Sequence, residues 1–274
     1  MDCITLFFSD VRLRLEGDVP EVLDALRIVW SLAEHPVIES QRDHRMAVVR
    51  RGAGIEVHVD GVVLESCEDP SHALALAERA LYHQLHTWHA AELLLHAASF
   101  QLDGRACVLL GASGSGKSGL CREAVRGGAL YMTDELTVTD GARLWGIPRA
   151  IQFDAIPASS VPPEWLGGAD VETYRLLDPE GSPCVVPLVP AAETPPAPGP
   201  SPAAEACLFE LSRGERDQAT PLHSIEALAA VHRAALSPVG IDLGALVGAG
   251  RCSKLTWATP DGAVSAIRRA IRDC

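Results

Sequence analysis

Eight consecutive residues, Gly111-Ala112-Ser113-Gly114-Ser115-Gly116-Lys117-Ser118, constrain this chain more than any other stretch. The glycines let the backbone curl so that several N–H groups point inward, a concavity suited to phosphate oxygens. Lys117 brings a positive charge to the outer phosphates, and the Ser118 hydroxyl suits magnesium. Cys107-Val108-Leu109-Leu110 before the loop reads as a buried strand, and Gly119 to Arg126 after it reads as a helix. Strand, loop and helix in that order separate a phosphate cradle from a Gly/Ser-rich turn that merely ends in Lys-Ser. The expectation is an α/β core, a sheet with flanking helices, that binds a nucleoside triphosphate through all eight residues.

A second strand, Ala129-Leu130-Tyr131-Met132, follows the Gly127-Gly128 turn and delivers Asp134-Glu135 seventeen residues after Lys117. In many phosphate-loop ATPases and GTPases the magnesium-holding acid arrives from a strand further along the chain. Here the acids ride on the next strand, so two adjacent strand ends are expected to place them opposite the triphosphate. One carboxylate suits magnesium, and the other suits taking a proton from an attacking hydroxyl. Away from such a loop, an acidic pair at a strand end is an ordinary solvated turn.

The run His96-Ala97-Ala98-Ser99-Phe100-Gln101-Leu102, then Gly104, the segment Val108 to Ser118, and Thr133-Asp134-Glu135 together resemble the catalytic domain of HPr kinase/phosphorylase. They look closer still to the HPr-kinase-like proteins of peptide biosynthetic clusters, including those that phosphorylate lasso-peptide precursors. Gly146 to Ile151 resembles a Gly-x-Pro-Arg segment of that group, and Pro221 to Leu228 a Pro-Leu-Ser helix start. The resemblance covers residues 90–272, with the loop and the acid pair its specific part. It implies ATP and magnesium as cofactors, Asp134, His96 and Lys117 in catalytic roles, and Ser118 with Glu135 as metal positions. Which of the two acids is the base stays open on the residues alone; Asp134 as base is what the resemblance implies. It further implies an acceptor serine on a peptide or protein, such as a lasso-type precursor, and is compatible with a homo-oligomer. The chain departs from the family at Ala112 and Gly119, where HPr kinases usually carry acids, and at Glu135, where they carry Asp. The family's glycine-rich segment for phosphorolysis has no convincing match, which counts against that reverse reaction and against HPr as substrate; whether the reverse activity remains stays open on the residues.

Composition agrees with a cytoplasmic enzyme. The 274 residues carry a net charge of −13, which disfavours a nucleic-acid partner. No apolar run is long enough to cross a bilayer, and Met1 to Thr5 begin no basic-then-apolar leader. The eight cysteines have no Cys-x-x-Cys pair and read as reduced thiols.

Two regions are expected. Residues 1–88 form a smaller α+β region: strands at Ile4 to Phe8, Val11 to Leu15 and Met46 to Val49, and a hairpin turning at Asp60-Gly61. Glu21 to Leu32 has helical spacing, as does a longer stretch from Ser71 to Leu95 with Asp69 or Ser71 as cap. This region reads as a scaffold with some substrate contact. Residues 89–274 form the kinase-like domain, interrupted by a proline-rich loop at 187–204 that reads as a lid or a solvated insertion. Ile225 to Leu236 and Asp261 to Ile271 read as helices, and Lys254 to Trp257 as the last strand. His83, His86 and His89 read as polar edges of an amphipathic helix rather than metal ligands. Arg149 suits a phosphoryl or substrate carboxylate, or else a surface ion pair. The function that follows is transfer of the ATP γ-phosphoryl group to a peptide serine. A small-molecule kinase and a nucleotide sensor with little turnover stay open.

Overall fold

The protein is described by a computed structural model over residues 2–8, 10–34, 42–68, 72–152, 156–157, 159, 172–177, 183–189, 194–197, 199–236, 243–247 and 251–273. It forms two compact units, one of Met1–Trp88 with Pro148–Ala191, the other of His89–Ile147 with Ala192–Cys274. The segment 148–191, expected within the second region, therefore groups with the first. Its backbone ties explain this: Ala150 N–H donates to the Val29 carbonyl at 2.8 Å, and Val189 N–H to that of Ile151 at 3.0 Å.

The first unit begins with β1 (Asp2–Phe8) and β2 (Val11–Gly17), then α1 (Pro20–Val29), β3 (Arg42–Arg51), β4 (Gly54–Val59), β5 (Val62–Cys67) and α2 (Ala73–Trp88). The five strands lie in sequence order, with β2 and β3 parallel and the rest antiparallel. Alternation sets the faces: Val11, Leu13 and Leu15 are buried, while Arg12 and Arg14 between them are exposed. Asp60 and Gly61 both take positive φ, 49° and 83°, as a tight Asp-Gly hairpin requires. Pro20 opens α1, whose Val22, Leu23 and Leu26 are buried, and the helix stops at Val29, short of the expected Leu32. Trp30 then packs its buried indole edge-on to Phe8 at 5.3 Å.

The expected helix from Ser71 to Leu95 ends sooner, at Trp88. Leu93-Leu94-Leu95 is buried on both faces of a strand, which three successive leucines satisfy better than one helix stripe. The proposed caps Asp69 and Ser71 lie outside the described residues.

The second unit opens with β6 (Leu93–Leu102) and β7 (Arg105–Leu110), followed by α3 (Lys117–Arg126), β8 (Leu130–Thr133), β9 (Leu136–Thr139) and β10 (Arg143–Gly146). The chain then contributes β11 (Ile156–Pro157), β12 (Glu172–Leu177) and β13 (Pro183–Leu188) to the first unit, as a small antiparallel sheet with β13 central. Back in the second unit come β14 (Ser201–Pro202), β15 (Cys207–Arg213), β16 (Gln218–Pro221), α4 (Ser224–Ala234), α5 (Gly244–Val247), β17 (Cys252–Trp257) and α6 (Pro260–Arg272). The sheet runs β14-β10-β9-β6-β7-β15-β17-β16, with β8 also paired to β6. Strands β7, β15 and β17 are mutually parallel neighbours, so their C-terminal ends share one edge.

Val108, Leu110 and Leu208 cluster with Ala227, Ala230 and Val231 of α4 on one face of this sheet. Cys107 and Leu109, alternating with them, point to the other face, where α3 packs on β6 and on α6.

Two expectations change here. The acid-bearing strand is not adjacent to the loop strand, because β6 lies between β7 and β8. Nor are the described parts of the proline-rich stretch a free flap. Tyr131 N–H donates to the Pro195 carbonyl at 2.8 Å and Ala197 N–H to that of Tyr131 at 2.7 Å, so this chain lies extended along β8 with Thr194 and Ala197 buried. Proline, lacking an N–H, is tolerated on such an edge. Pro190 and Pro198 lie outside the described residues.

Candidate functional site

The loop from Gly111 to Ser118 leaves the end of β7 and enters α3 at Lys117. Gly114 and Gly116 take φ of 74° and 95°, the left-handed region in which a side chain is strained. At Gly116 the space is closed as well, since a Cβ there would overlap the Trp257 ring. Gly116→Ala should therefore combine about 1–2 kcal/mol of left-handed strain with about 1–3 kcal/mol of overpacking. Urea unfolding should show that loss of stability, with nucleotide affinity falling alongside it.

Lys117 is only 6% exposed, and its Nζ donates to the carbonyls of Gly111 at 2.8 Å and Ala112 at 3.2 Å. Burial pulls the ammonium below its usual range, while the carboxylates of Glu135 and Asp134 pull it back up. The lysine is thus the point where the loop and the acid pair meet. Ser115 Oγ is buried and has no hydrogen-bond partner among the described residues, a hydroxyl free to donate to an anion in the loop.

The acid pair sits in the turn between β8 and β9, both laid along β6. Thr133 Oγ1 accepts from the backbone N–H groups of Glu135 and Leu136, each at 3.2 Å, fixing the turn. Ala97 N–H donates to the Glu135 carbonyl at 3.0 Å, anchoring it to β6. Asp134 is 3% exposed and accepts from Tyr131 Oη at 3.2 Å. Glu135 is partly open, with Oε1 3.7 Å from His96 Nε2. Burial and Lys117 push His96 below its usual range against the opposing pull of Glu135, favouring a neutral imidazole at neutral pH. Cys121, one turn into α3, has its Sγ 3.8 Å from the Thr133 carbonyl. Burial and Asp134 hold it well up, as a protonated thiol.

His96, Lys117, Asp134, Glu135 and the loop are thus brought together at one edge of the sheet, although β6 separates the loop strand from the acids. Beside them, a cavity of about 450 Å³ is lined by His96, Gly111, Ala112, Glu210 and Arg233 among others. Arg233 and Glu210 form an ion pair there at 2.5 Å.

Arg149 does something else. It is 8% exposed within the first unit, with Nη1 donating to Tyr82 Oη and Nη2 lying 3.9 Å from Glu78 Oε1. Its guanidinium carbon lies 5.9 Å and 5.6 Å from the Trp30 and Tyr82 ring centres. These contacts tie it into that core; of the two sequence expectations, an anion contact or a surface ion pair, the Glu78 contact is nearer the second, although buried. His89 stands against Trp145, with ring centres 6.5 Å apart.

Sequence reasoning passed over Tyr131, Glu210, Arg213, Arg233 and Trp257. The signal available for Arg213 and Trp257 was position: both end strands parallel to β7, on the edge where open α/β sheets bind ligands.

No family model matches the sequence, and no curated protein matches it. Among solved structures, the HPr(Ser) kinase/phosphatase from Coxiella burnetii is similar at 13% identity and a TM-score of 0.28, over 66% of this chain and 97% of that one. A likeness that slight decides neither fold nor activity, whereas the second unit's own geometry defines a mixed α/β sheet with a phosphate-loop sequence at its edge.

Proposed function

We propose that this protein is an ATP-dependent kinase that transfers the γ-phosphoryl group to a serine hydroxyl of a peptide, of the lasso-precursor kind to which the sequence resemblance points. One observation carries the reading: the buried Lys117, whose Nζ holds the Gly111 and Ala112 carbonyls of the glycine loop, stands at the same sheet edge as the turn that bears Asp134 and Glu135. A cation held between a phosphate cradle and two carboxylates suits phosphoryl transfer, where catalysis is mostly positioning and charge neutralisation.

In this reading the triphosphate lies in residues 111–118, and Lys117 spreads the charge of its outer end. Asp134 takes the proton from the acceptor hydroxyl as that oxygen attacks the γ-phosphorus in line, and ADP leaves. His96, beside Glu135, orients the acid and the incoming hydroxyl. The oxygen donors Ser118 and Glu135 fit a hard cation, and magnesium bound there would neutralise phosphate charge. The cavity beside His96 receives the acceptor. Its volume also suits a small molecule, which keeps a small-molecule kinase as the second reading.

The test is to incubate the full chain with ATP, magnesium and a serine-containing precursor peptide, and to follow peptide mass and ATP consumption. Phosphate gain on the serine, with ATP consumed only when the peptide is present, is the expected result. ATP consumed with no phosphorylated peptide would refute the peptide acceptor, and no consumption with any acceptor would refute the kinase.

A further inference from the structure

Arg213 and Trp257 are the last residues of β15 and β17, register partners on neighbouring parallel strands. Both strands end on the edge where β7 gives rise to the phosphate loop. Trp257 is 1% exposed, and the ring edge formed by Cζ2 and Cη2 faces Gly116 of the loop. Its indole Nε1, next to that edge, is buried with no hydrogen-bond partner among the described residues. The guanidinium carbon of Arg213 stands over this ring, 3.4 Å from the centroid. Its Nη2 stands 3.6 Å from where a Gly116 Cβ would be.

Arg213 is exposed, and among the described residues no carboxylate pairs with it. An exposed arginine ordinarily keeps its rotamer freedom unless something flat or charged holds it. Here the guanidinium sits over the indole while the residue stays exposed, so a planar cation is presented at the rim of the loop.

The direction of the nucleotide says what would use it. Lys117 and the acid pair mark where the outer phosphate belongs, and the acids lie on the β6 side of the loop strand. The nucleoside must then lead away from them, toward the ends of β15 and β17. Phosphates are already served by the loop amides and Lys117. A nucleobase led this way meets the exposed Arg213, and bases stack on arginine planes as they do on aromatic rings. We propose that Arg213, pinned on Trp257, is the platform on which the nucleobase of the bound triphosphate stacks. This rests on the nucleotide reading of the loop and adds to it the residue that senses the base.

The experiment compares ATP with inorganic tripolyphosphate, each with magnesium, by calorimetric titration of the full chain. R213A should weaken ATP binding about ten-fold or more. It should leave tripolyphosphate affinity within about two-fold of wild type. R213K, which keeps the charge and loses the plane, should behave like R213A toward ATP; because both variants alter the cover over the Trp257 ring, melting curves accompany the titrations and binding is compared where each variant is folded. Equal losses for both ligands would make Arg213 a phosphate contact and overturn the platform. Unchanged ATP affinity in R213A, with wild type binding both ligands, would overturn it alone. A wild-type protein that binds neither ligand would sink the loop reading and the platform with it.

Discussion

Replacing Asp134 by Asn is expected to slow phosphoryl transfer by about 10²–10⁴-fold, the usual contribution of a positioned general base. Nucleotide affinity should stay near the wild-type value or improve. Asn keeps the shape of the side chain and can still accept from Tyr131 Oη, so the turn at Thr133 has no reason to move. What is lost is a proton acceptor, and what is relieved is a negative charge near the triphosphate. Single-turnover kinetics with calorimetric binding separates the two effects. A variant with full activity would remove Asp134 from the chemistry and pass the role to Glu135, which is more open and stands by His96.

Lys117→Ala is expected to fail in both binding and turnover. A charge-assisted contact is worth about 1.5–3 kcal/mol, or roughly one to two decades of affinity, and the rate should fall further because the same charge is needed in the transition state. The substitution also leaves Asp134 and Glu135 facing the phosphates without a neutralising cation. Since Lys117 holds two loop carbonyls, a melting curve should accompany the kinetics. Unchanged affinity and rate in a folded variant would discredit the loop as a nucleotide site.

Local chemistry was legible in the sequence, and long-range pairing was not. The Asp60-Gly61 hairpin and the strand–loop–helix around Gly111 to Ser118 are set by neighbours in the chain, through left-handed glycines and period-two alternation. The strand start at Leu93 was hidden because an apolar triplet reads equally as helix until the sheet on both sides is known. Likewise nothing between Lys117 and Asp134 reveals that β6 lies between their strands, since its pairing with β8 and β9 crosses long stretches of chain.

The same limit accounts for the residues misread or passed over. Arg149 reads in isolation as an anion contact or a surface ion pair, and only folding places Tyr82, Glu78 and Trp30 around it. The proline-rich stretch reads as a lid or a solvated insertion because prolines break ladders, yet Pro195 to Ala197 lie along β8, where one carbonyl and one N–H make the bonds. Arg213 and Trp257 are far apart in sequence, and their meeting at the loop follows from the parallel register of β15 and β17.

In the proposed kinase a nucleoside triphosphate sits in residues 111–118, its outer phosphate between Lys117 and the acid pair. A crystal structure of the complex with a non-hydrolysable ATP analogue and magnesium tests it most directly. The γ-phosphate is expected within hydrogen-bond reach of Lys117 Nζ, with Asp134 and Glu135 facing it. An analogue bound elsewhere, or carboxylates turned away from the terminal phosphate, would contradict it.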